Sequence, residues 1–213
     1  GVVELSCVAN TSIKGLHENP INIFWSEIST YPDLITKADR DEILRVMPVI
    51  QALNNKRFNL SLDSRNASTM ELAILSGVKV VNDVSALKNN KKSVDIIKNY
   101  DVPIILMHMP GNPKNMMKNN DYFNVVLDVY DFLEERIKFC ESMGIKRQNL
   151  IIDPGIGFGK DHIQNIALLK NLSIFHSLGC PIMLGVSRKR FISSIAKEEL
   201  PKKRLAGTLA ASI

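Results

Sequence analysis

Short apolar segments of strand length alternate with longer segments of helical periodicity along most of the chain, and this alternation limits the folds that the sequence can adopt. Strands are predicted at residues 1–8, 21–28, 59–63, 78–83, 103–108, 150–153 and 181–186. Helices are predicted at residues 39–54, 66–76, 93–100, 122–143, 163–178 and 205–213. Such an alternation is typical of a parallel sheet, and strands this apolar indicate a sheet that is buried on both faces.

The residues at the ends of the predicted strands favour one arrangement of that sheet. Polar or charged side chains stand at five carboxyl ends, namely Asp63, Asn82, His108, Asp153 and Ser187. In a (β/α) barrel these ends surround one site, whereas a doubly wound open sheet places its functional residues along a single crevice. The pattern therefore predicts a barrel, with the open sheet as the alternative.

Two parts of an eight-stranded barrel are not recognisable in the sequence. Residues 9–20, between the first two predicted strands, include Gly15 and Pro20 and show no helical periodicity, and the chain offers seven strands rather than eight. We therefore predict an α/β fold, a TIM-type (β/α)8 barrel that is incomplete at the first crossover helix and at the last strand and helix. With 213 residues and 45% hydrophobic residues, the chain suits a single domain over residues 1–213.

Composition excludes several classes of function. The net charge of +5 favours anionic ligands, but one Trp, four Tyr and short basic clusters at residues 88–92 and 202–204 do not suit a nucleic-acid surface. No apolar run approaches the ~18 residues that a membrane span needs. The odd set of Cys7, Cys140 and Cys180 indicates reduced thiols and a cytoplasmic protein. The expected partners are therefore small molecules, with neither nucleic acid nor membrane.

Asp153 begins a glycine-rich stretch that we interpret as the working centre of the chain. The stretch reads Asp153-Pro-Gly-Ile-Gly-Phe-Gly-Lys160 and follows an apolar segment of strand length. Glycines at three of five successive positions allow the backbone to approach a flat ligand or a neighbouring strand. A tight strand-to-helix turn explains the same residues equally well, so the stretch on its own leaves both interpretations open.

Two further motifs accompany this stretch, Val81-Asn-Asp-Val-Ser85 before it and Gly185-Val-Ser-Arg-Lys189 after it. With the three motifs in this order, the chain resembles the dihydropteroate synthases of the pterin-binding family from about residue 41 to residue 213. The resemblance implies a transferase of folate biosynthesis that condenses 6-hydroxymethyl-7,8-dihydropterin diphosphate with 4-aminobenzoate. It also implies a TIM barrel, Mg2+ as the cofactor, and a homodimer as one form of assembly.

The resemblance assigns the pterin ring to side chains at the strand ends. A carboxylate accepts a forked pair of hydrogen bonds from adjacent N–H groups, and the amino-amidine edge of a pterin presents such a pair. Three side chains, Asp63, Asp153 and Lys189, are the implied catalytic residues. The implied pterin-binding residues are Asp63, Asn82, Met107, Asp153, Phe158, Gly185 and Lys189.

A second set of residues is assigned to the remaining substrate groups. Residues 187–189 are predicted to begin a helix, whose first N–H groups attract anions. The implied residues on the side of the aminobenzoate and the anion are Thr30, Pro32, Ser187 and Arg188, and a weak candidate for a metal ligand is Asn10.

The loops that would meet the diphosphate depart from the family pattern. The family's first loop, Asn-x-Thr-Pro-Asp-Ser-Phe, is reduced to an echo at Asn10. Tyr31 stands where the family has the Arg of Ser-Thr-Arg-Pro, and tyrosine does not supply the fork with which arginine holds phosphate. The family's last strand, with its Arg-x-His, is not found in the sequence. These departures predict a chain that binds pterin but condenses it with 4-aminobenzoate poorly or not at all.

Three functions stay open at this point. The first is a dihydropteroate synthase, and the second is a non-catalytic pterin-binding or interaction domain that has lost its diphosphate site. The third is a corrinoid-linked methyltransferase of the same family. The motifs ending at Lys160 and Lys189 favour the synthases over the methyltransferases.

Several of the assigned residues also have a purely structural explanation. Asp63 is placed to cap the helix predicted near residue 66, and Asn82 with Asp83 suits a simple turn. Lys189 suits a solvated charge in a first helical turn. His108 has no second His or Cys at metal-ligand spacing, so we assign it to the end of a strand. Three family motifs in order favour the functional explanation for the set.

Overall fold

The strands pair with one another in the order in which the chain reaches them. The structure is a computed structural model and describes residues 2–6, 37–54, 58–112, 115–118, 120–197 and 200–212. Within these residues, five strands form one parallel sheet in the order β1-β2-β3-β4-β5. They are β1 (Val2–Ser6), β2 (Asn59–Asp63), β3 (Val80–Asp83), β4 (Ile104–Met107) and β5 (Leu150–Asp153). A doubly wound sheet reverses its order at a switch point, so the consecutive order is that of a barrel.

A sixth segment continues the sheet beyond β5 but forms a single bridge at Ile182. The N–H of Ile152 donates to the carbonyl of Pro181 at 2.9 Å, and the N–H of Met183 donates to the carbonyl of Ile152 at 2.8 Å. The strand predicted at residues 181–186 is therefore wrong in its length. Alternate residues of β5 face this segment, and the next of them is Pro154, which has no N–H to extend the ladder.

The helices follow the strands as the alternation predicts. The helix predicted at residues 163–178 ends early, because Asn171 donates its side-chain amide to the Ala167 carbonyl at 2.8 Å. A 3-10 turn, Leu172–Leu178, continues from there. The other predicted helices agree with the structure to within three residues at each end. The described helices are α1 (Lys37–Asn54), α2 (Ala67–Leu75), α3 (Lys91–Tyr100), α4 (Val125–Ser142), α5 (His162–Lys170), α6 (Arg190–Ala196) and α7 (Leu205–Ala210).

Polar caps decide where two of these helices begin. Asn124 accepts the N–H groups of Val126 at 3.0 Å and Leu127 at 3.3 Å, which is why α4 starts after it rather than at residue 122. Before α5, the Asp161 carboxylate and the Gln164 side chain accept each other's backbone N–H at 2.8 Å. This reciprocal pair is a capping box, and it fixes the end of the loop that follows β5.

The two faces of the sheet carry different side chains. On one face Leu62, Val81, Leu106 and Ile152 are fully buried and belong to the apolar core shared with the helices. Successive residues of a strand point to opposite faces. The face turned away from the helices is the inside of the barrel, and it carries Ser61, Asp63, Asn82, Ile105, Met107, Ile151 and Asp153.

Some sequence predictions concern other parts of the chain. The strand predicted at residues 21–28 and the crossover at residues 9–20 lie outside the described residues. In the described ranges, no helix is both long and apolar enough to span a membrane. Cys140 and Cys180 are both buried free thiols.

Candidate active site

Four of the predicted ring-binding residues lie at the carboxyl end of the inner face. Asp63 is paired with Asn82 in the register of β2 and β3, and Met107 is paired with Asp153 in the register of β4 and β5. Asn82, Met107 and Asp153 are buried, whereas Asp63 is half-buried. Because β3 and β5 lie two strand spacings apart, their polar side chains are separated by about 10 Å. That separation suits a bicyclic ring bound between them.

Asp153 has its two carboxylate oxygens in different surroundings. Oδ1 accepts the N–H of Gly155 at 2.7 Å, which anchors the start of the loop after β5. A Cβ atom at Gly185 would lie 3.9 Å from Oδ2 and 3.7 Å from the Nζ of Lys189. Gly185 therefore packs beside both groups, and the carboxylate of Asp153 and the ammonium of Lys189 lie near each other at this end of the sheet.

The loop after β5, residues 154–160, lies against the end of β4. Gly155 has a φ of +70°, and a Cβ there would overlap the carbonyl oxygen of His108. Gly159 has a φ of +60°, and a Cβ there would overlap the ring of Pro110 and lie 2.8 Å from the Met116 carbonyl oxygen. The close approach between backbone segments that the glycines predicted is confirmed at these two positions.

Lys189 covers the outer side of the same loop. Its Nζ lies 4.4 Å from the centre of the Phe158 ring and donates to the carbonyl of Ile156. A Cβ at Gly157 would lie 2.8 Å from the Lys189 Cδ, so glycine is needed for this packing as well. An ammonium over an aromatic face is attracted by the electron-rich ring. A cation and a flat aromatic surface thus stand beside Asp153 at the mouth of the barrel.

Lys160, which the sequence analysis named only as the last residue of the glycine-rich motif, is buried where the loop ends, with a relative exposure of 3%. Its Nζ is 2.9 Å from the Nδ1 and 3.3 Å from the carbonyl oxygen of His108, and 3.0 Å from the carbonyl oxygens of Gly155 and Phe158. Burial lowers the pKa of Lys160 to about 7, and the positive charge of Lys189 adds to this effect. The carboxylate of Asp153 acts in the opposite direction.

His108 follows β4 directly and stands at the end of the strand, as assigned from the sequence. Burial first, and then the charge of Lys160, lower the pKa of His108 to about 3. The imidazole is therefore neutral near pH 7 and can accept a hydrogen bond at Nδ1 from the lysine. Its ring also meets Phe132 edge to face, with 4.8 Å between the ring centres.

Asn165 on α5 holds the loop from the other side. Its Oδ1 accepts the N–H of Gly157 at 2.6 Å, and its Nδ2 donates to the carbonyls of Lys160 at 3.1 Å and Asp161 at 2.6 Å. Sequence reasoning missed Asn165, and it named Lys160 as part of a motif without its contacts to His108. The available signal was weak: an amide in the first turns of a helix, four residues after its N-cap.

Of the two residues that suited a simple turn, Asp83 forms one after β3, and Asn82 does not take part in it. The Asp83 carboxylate accepts the N–H of Ser85 at 2.7 Å, the hydroxyl of Ser85 at 2.6 Å and the N–H of Leu87 at 3.0 Å. Burial raises the pKa of Asp83 even though these hydrogen bonds act to lower it. Asp83 thus organises a turn on the outer face, while Asn82 lies on the inner face. Asp63 does not cap α2, whose N-cap residue is Asn66.

The structure corrects the prediction that residues 187–189 begin a helix. Ser187 and Arg188 lie in an exposed turn, and α6 starts only at Arg190. The Arg188 N–H donates to the hydroxyl of Thr208 at 2.9 Å, and its carbonyl accepts from Arg204 at 3.0 Å. With φ at +53°, Arg188 has left-handed backbone that interrupts a helix. An anion can therefore meet the Arg188 side chain but not its backbone N–H.

The remaining predicted residues, Asn10, Thr30 and Pro32, lie outside the described residues. Across the part of the chain that the structure describes, no three His, Cys, Asp or Glu side chains come together in a way that could hold a metal ion. The metal ligand stays a prediction that concerns Asn10 alone.

Known proteins resemble this chain in sequence and in fold. A model of the family described as pterin binding enzyme matches residues 28–213. The dihydropteroate synthase of Haemophilus influenzae is 38% identical over 187 residues, which cover 87% of this chain and 67% of that protein. Two solved structures of the Xanthomonas albilineans dihydropteroate synthase are 40% identical. One holds 4-aminobenzoic acid, with a TM-score of 0.76 over 81% of this chain and 61% of that one. The other holds 7,8-dihydropteroate, with a TM-score of 0.75 over 81% and 65%.

The chain thus spans about two thirds of the length of these relatives. Their folds confirm the TIM-type barrel that the strand order predicts, and the consecutive parallel strands of this chain form part of it. The family model extends over most of the chain and includes each of the three motifs. The protein accordingly belongs to the family of pterin-binding enzymes.

Proposed function

We propose that the protein is a dihydropteroate synthase, which condenses 6-hydroxymethyl-7,8-dihydropterin diphosphate with 4-aminobenzoate to give 7,8-dihydropteroate and diphosphate. The observation that carries this proposal is the placement of two carboxylates and an amide, Asp63, Asp153 and Asn82, on the inner face at the carboxyl end of the sheet. The relatives whose structures hold 4-aminobenzoic acid and 7,8-dihydropteroate support it.

In this proposal the pterin ring lies between β2, β3 and β5. The Asp153 carboxylate accepts from the amino-amidine edge through the oxygen that faces Gly185. Asn82 both donates and accepts, and Asp63 accepts from the opposite part of the ring. Lys189 donates to the oxygen and nitrogen edge of the ring from beside Gly185.

The second substrate is proposed to lie on the outer side of the ring. Phe158 offers a flat aromatic surface for the benzoate ring, and the exposed side chains of Ser187 and Arg188 are proposed to meet its carboxylate. Thr30 and Pro32 are proposed to complete this side from the preceding loop.

The reaction needs no covalent bond to the protein. The C–O bond between the pterin methylene and the diphosphate breaks, and the electron pair leaves with the diphosphate. The amine of 4-aminobenzoate donates its lone pair to the methylene carbon and then loses a proton to solvent. Positive charge develops on the pterin methylene in this step, and the carboxylates of Asp63 and Asp153 stabilise it.

Mg2+ is part of the proposal as the ion that neutralises the leaving diphosphate. It is commonly held by substrate phosphates with one or two protein ligands. The described residues offer no such cluster of their own, so the ion would enter with the diphosphate, and Asn10 stays the protein candidate.

The buried free thiols Cys140 and Cys180 support a reducing, cytoplasmic location. A homodimer stays a prediction.

The experiment measures two quantities separately, pterin affinity by calorimetry and diphosphate release with Mg2+, the pterin diphosphate and 4-aminobenzoate. We expect pterin binding, and diphosphate release that depends on the added amine. Tyr31 replaces an arginine of the family pattern, and the first loop differs from it, so two contacts to the diphosphate are expected to be lost. If each contact stabilises the transition state by about 2 kcal/mol, turnover should be roughly a thousandfold below that of a relative such as the H. influenzae enzyme.

The variant Tyr31→Arg tests the reason for slow turnover, and it should raise diphosphate release while pterin affinity stays constant. Pterin binding with no amine-dependent release, in the parent and in the variant, would instead establish the non-catalytic pterin-binding domain. Turnover equal to that of the relative would show that other cations, such as Arg188, serve the diphosphate.

A further inference from the structure

Lys160 has more acceptors around its ammonium group than it has protons to donate. Four acceptor atoms lie within 3.3 Å of Nζ, and an ammonium carries three N–H bonds. Two of these acceptors, Nδ1 and the carbonyl oxygen, belong to His108 at the end of β4. The other two are the carbonyl oxygens of Gly155 and Phe158 in the loop after β5. One buried side chain therefore joins two segments that are 52 residues apart in sequence.

The joined segments meet at a place where the backbones themselves are in contact. A Cβ at Gly155 would overlap the His108 carbonyl oxygen and lie 3.3 Å from the Lys160 Nζ. The carbonyl oxygens of His108 and Gly155 both lie within 3.3 Å of the Lys160 Nζ, so their negative ends converge on one point and repel each other unless a positive group lies there. The Lys160 ammonium supplies that group, so the loop depends on it to stay against β4.

The position of the loop matters because Asp153, directly before the loop, and Phe158, within it, are proposed to contact the substrates. Gly155 is bonded through its N–H to Asp153 Oδ1, so the loop and the carboxylate are oriented together. Phe158, whose carbonyl is bonded to Lys160, presents its ring to Lys189 at 4.4 Å. A displacement of the loop would therefore move the carboxylate and the aromatic surface at the same time.

Several charged or titratable groups face this ammonium. Lys189 from the segment before α6 disfavours its charge, and Asp153 from β5 favours it. The neutral imidazole of His108 accepts from it, and Lys88, before α3, acts on His108 as a further positive charge. Tyr122 donates to the carbonyl of Gly159 at 3.1 Å and stacks at a tilt on His108. With the pKa of Lys160 at about 7, its charge is lost as the pH rises through neutrality.

We infer that Lys160 is a positioning residue, whose ammonium group ties the loop after β5 to His108 and so sets where Phe158 and Asp153 stand when the two substrates bind. The substrate part of this inference rests on the proposed function, whereas the tie itself concerns the chain without ligand. Lys160 itself is buried, and its ammonium group is surrounded by acceptors of the protein.

The first test is amide hydrogen exchange of the ligand-free protein. Lys160→Met keeps the length of the side chain but removes the charge and the donors. We expect the amides of Gly155, Gly157 and Phe158 to exchange about tenfold faster or more in this variant. The control is Lys79→Met, at an exposed position between α2 and β3, which should leave these rates unchanged. Unchanged exchange in a folded Lys160→Met variant would overturn the inference.

His108 supplies a second pair of variants for the case in which Lys160→Met does not fold. His108→Asn keeps a side-chain acceptor near the position of Nδ1, whereas His108→Phe keeps the ring shape and removes the acceptor. We expect exchange of the loop amides close to the parent rate in the first variant and faster exchange in the second. Equal rates in both variants would contradict a role for the lysine bond to Nδ1.

The kinetic test distinguishes positioning from a general loss of stability. At a temperature where Lys160→Met is fully folded, we expect this variant to have a KM for 4-aminobenzoate about tenfold above that of the parent. In the parent alone, we also expect the loop amides to lose protection from exchange as the pH rises through about 7. A lower kcat with unchanged KM would indicate a purely structural lysine. If the parent binds no pterin, the proposed function fails, while the exchange experiment still decides whether Lys160 holds the loop.

Discussion

The turn after β3 and the loop after β5 each bury an aspartate at the carboxyl end of the sheet, and they use it differently. Asp83 lies on the helix-facing side and accepts hydrogen bonds from Ser85 and Leu87 of its own turn. Asp153 lies on the inner side, where one oxygen anchors Gly155 and the other faces Gly185. The side of the sheet thus decides whether a buried carboxylate is enclosed in its own turn or lies on the inner face, where the pterin is proposed to bind.

The two segments also differ in how they reach left-handed backbone angles. The turn after β3 has Ala86 at a φ of +51° and Leu87 at +60°, both with buried side chains. The loop after β5 has glycine at +70° in Gly155 and at +60° in Gly159. Left-handed backbone alone therefore does not require glycine in this protein. The loop needs glycine because its backbone touches neighbouring segments, which leave no room for a Cβ.

The largest effect is expected from Gly155→Ala, which tests this difference directly. The change adds strain at a positive φ and an overlap with the His108 carbonyl oxygen, so the free energy of unfolding should fall by about 2–5 kcal/mol. Urea denaturation measures it. The control is Gly144→Ala, at a φ of +92°, where the added Cβ meets only the flexible end of Lys98 and the expected loss is about 1–2 kcal/mol. Equal losses would show that φ alone decides.

An intermediate effect is expected from exchanging the two carboxylates for amides. Asp153→Asn should weaken pterin affinity by about tenfold or more, because it removes one of a pair of charge-assisted hydrogen bonds. Asp83→Asn should leave affinity unchanged and lower the free energy of unfolding by about 1–3 kcal/mol, because a buried N–H loses its acceptor. Calorimetry and urea denaturation on both variants give the comparison. Weaker pterin binding in Asp83→Asn would remove the distinction between the two faces.

The smallest effect concerns the pH dependence of stability, where His108, beside the loop after β5, and Asp83, in the turn after β3, act in opposite directions. Unfolded His108 titrates near its ordinary value of 6.5, and buried His108 at about 3, so between these values only the unfolded chain binds the proton. The stability contributed by the neutral ring is present above pH 6.5 and is lost as the pH falls. Between pH 6.5 and 5.5 the free energy of unfolding should decrease by about 1 kcal/mol.

Asp83 opposes this trend, since its pKa is raised in the folded state and the folded chain gains stability as the carboxyl binds its proton. Thermal unfolding from neutral pH down to the ordinary aspartate pKa of 3.8 should therefore show a shallower slope in His108→Asn and a steeper slope at the acid end in Asp83→Asn. Parallel slopes in the parent and both variants would contradict the assignment of opposite signs.

Local sequence determined the strands, the helices and the motif order, because strand alternation, helical periodicity and capping depend on residues close together in the chain. β2 and β5 have the predicted bounds, and polar residues mark the site end of the sheet. The sequence also predicted Asp63, Asn82 and Asp153 as site residues, and the register places them on one face at the carboxyl end of the sheet. Their contact with a ligand stays a prediction.

The tertiary structure alone decided which residues support the candidate site. Lys160 and His108 meet only because β4 and β5 are neighbours in the sheet, and Asn165 reaches the loop only because α5 packs beside it. The neutral state of His108 has the same origin, since its low pKa arises from burial that no nearby sequence pattern encodes. Desolvation and contacts between distant segments depend on the assembled fold, and these properties therefore could not be read from the sequence.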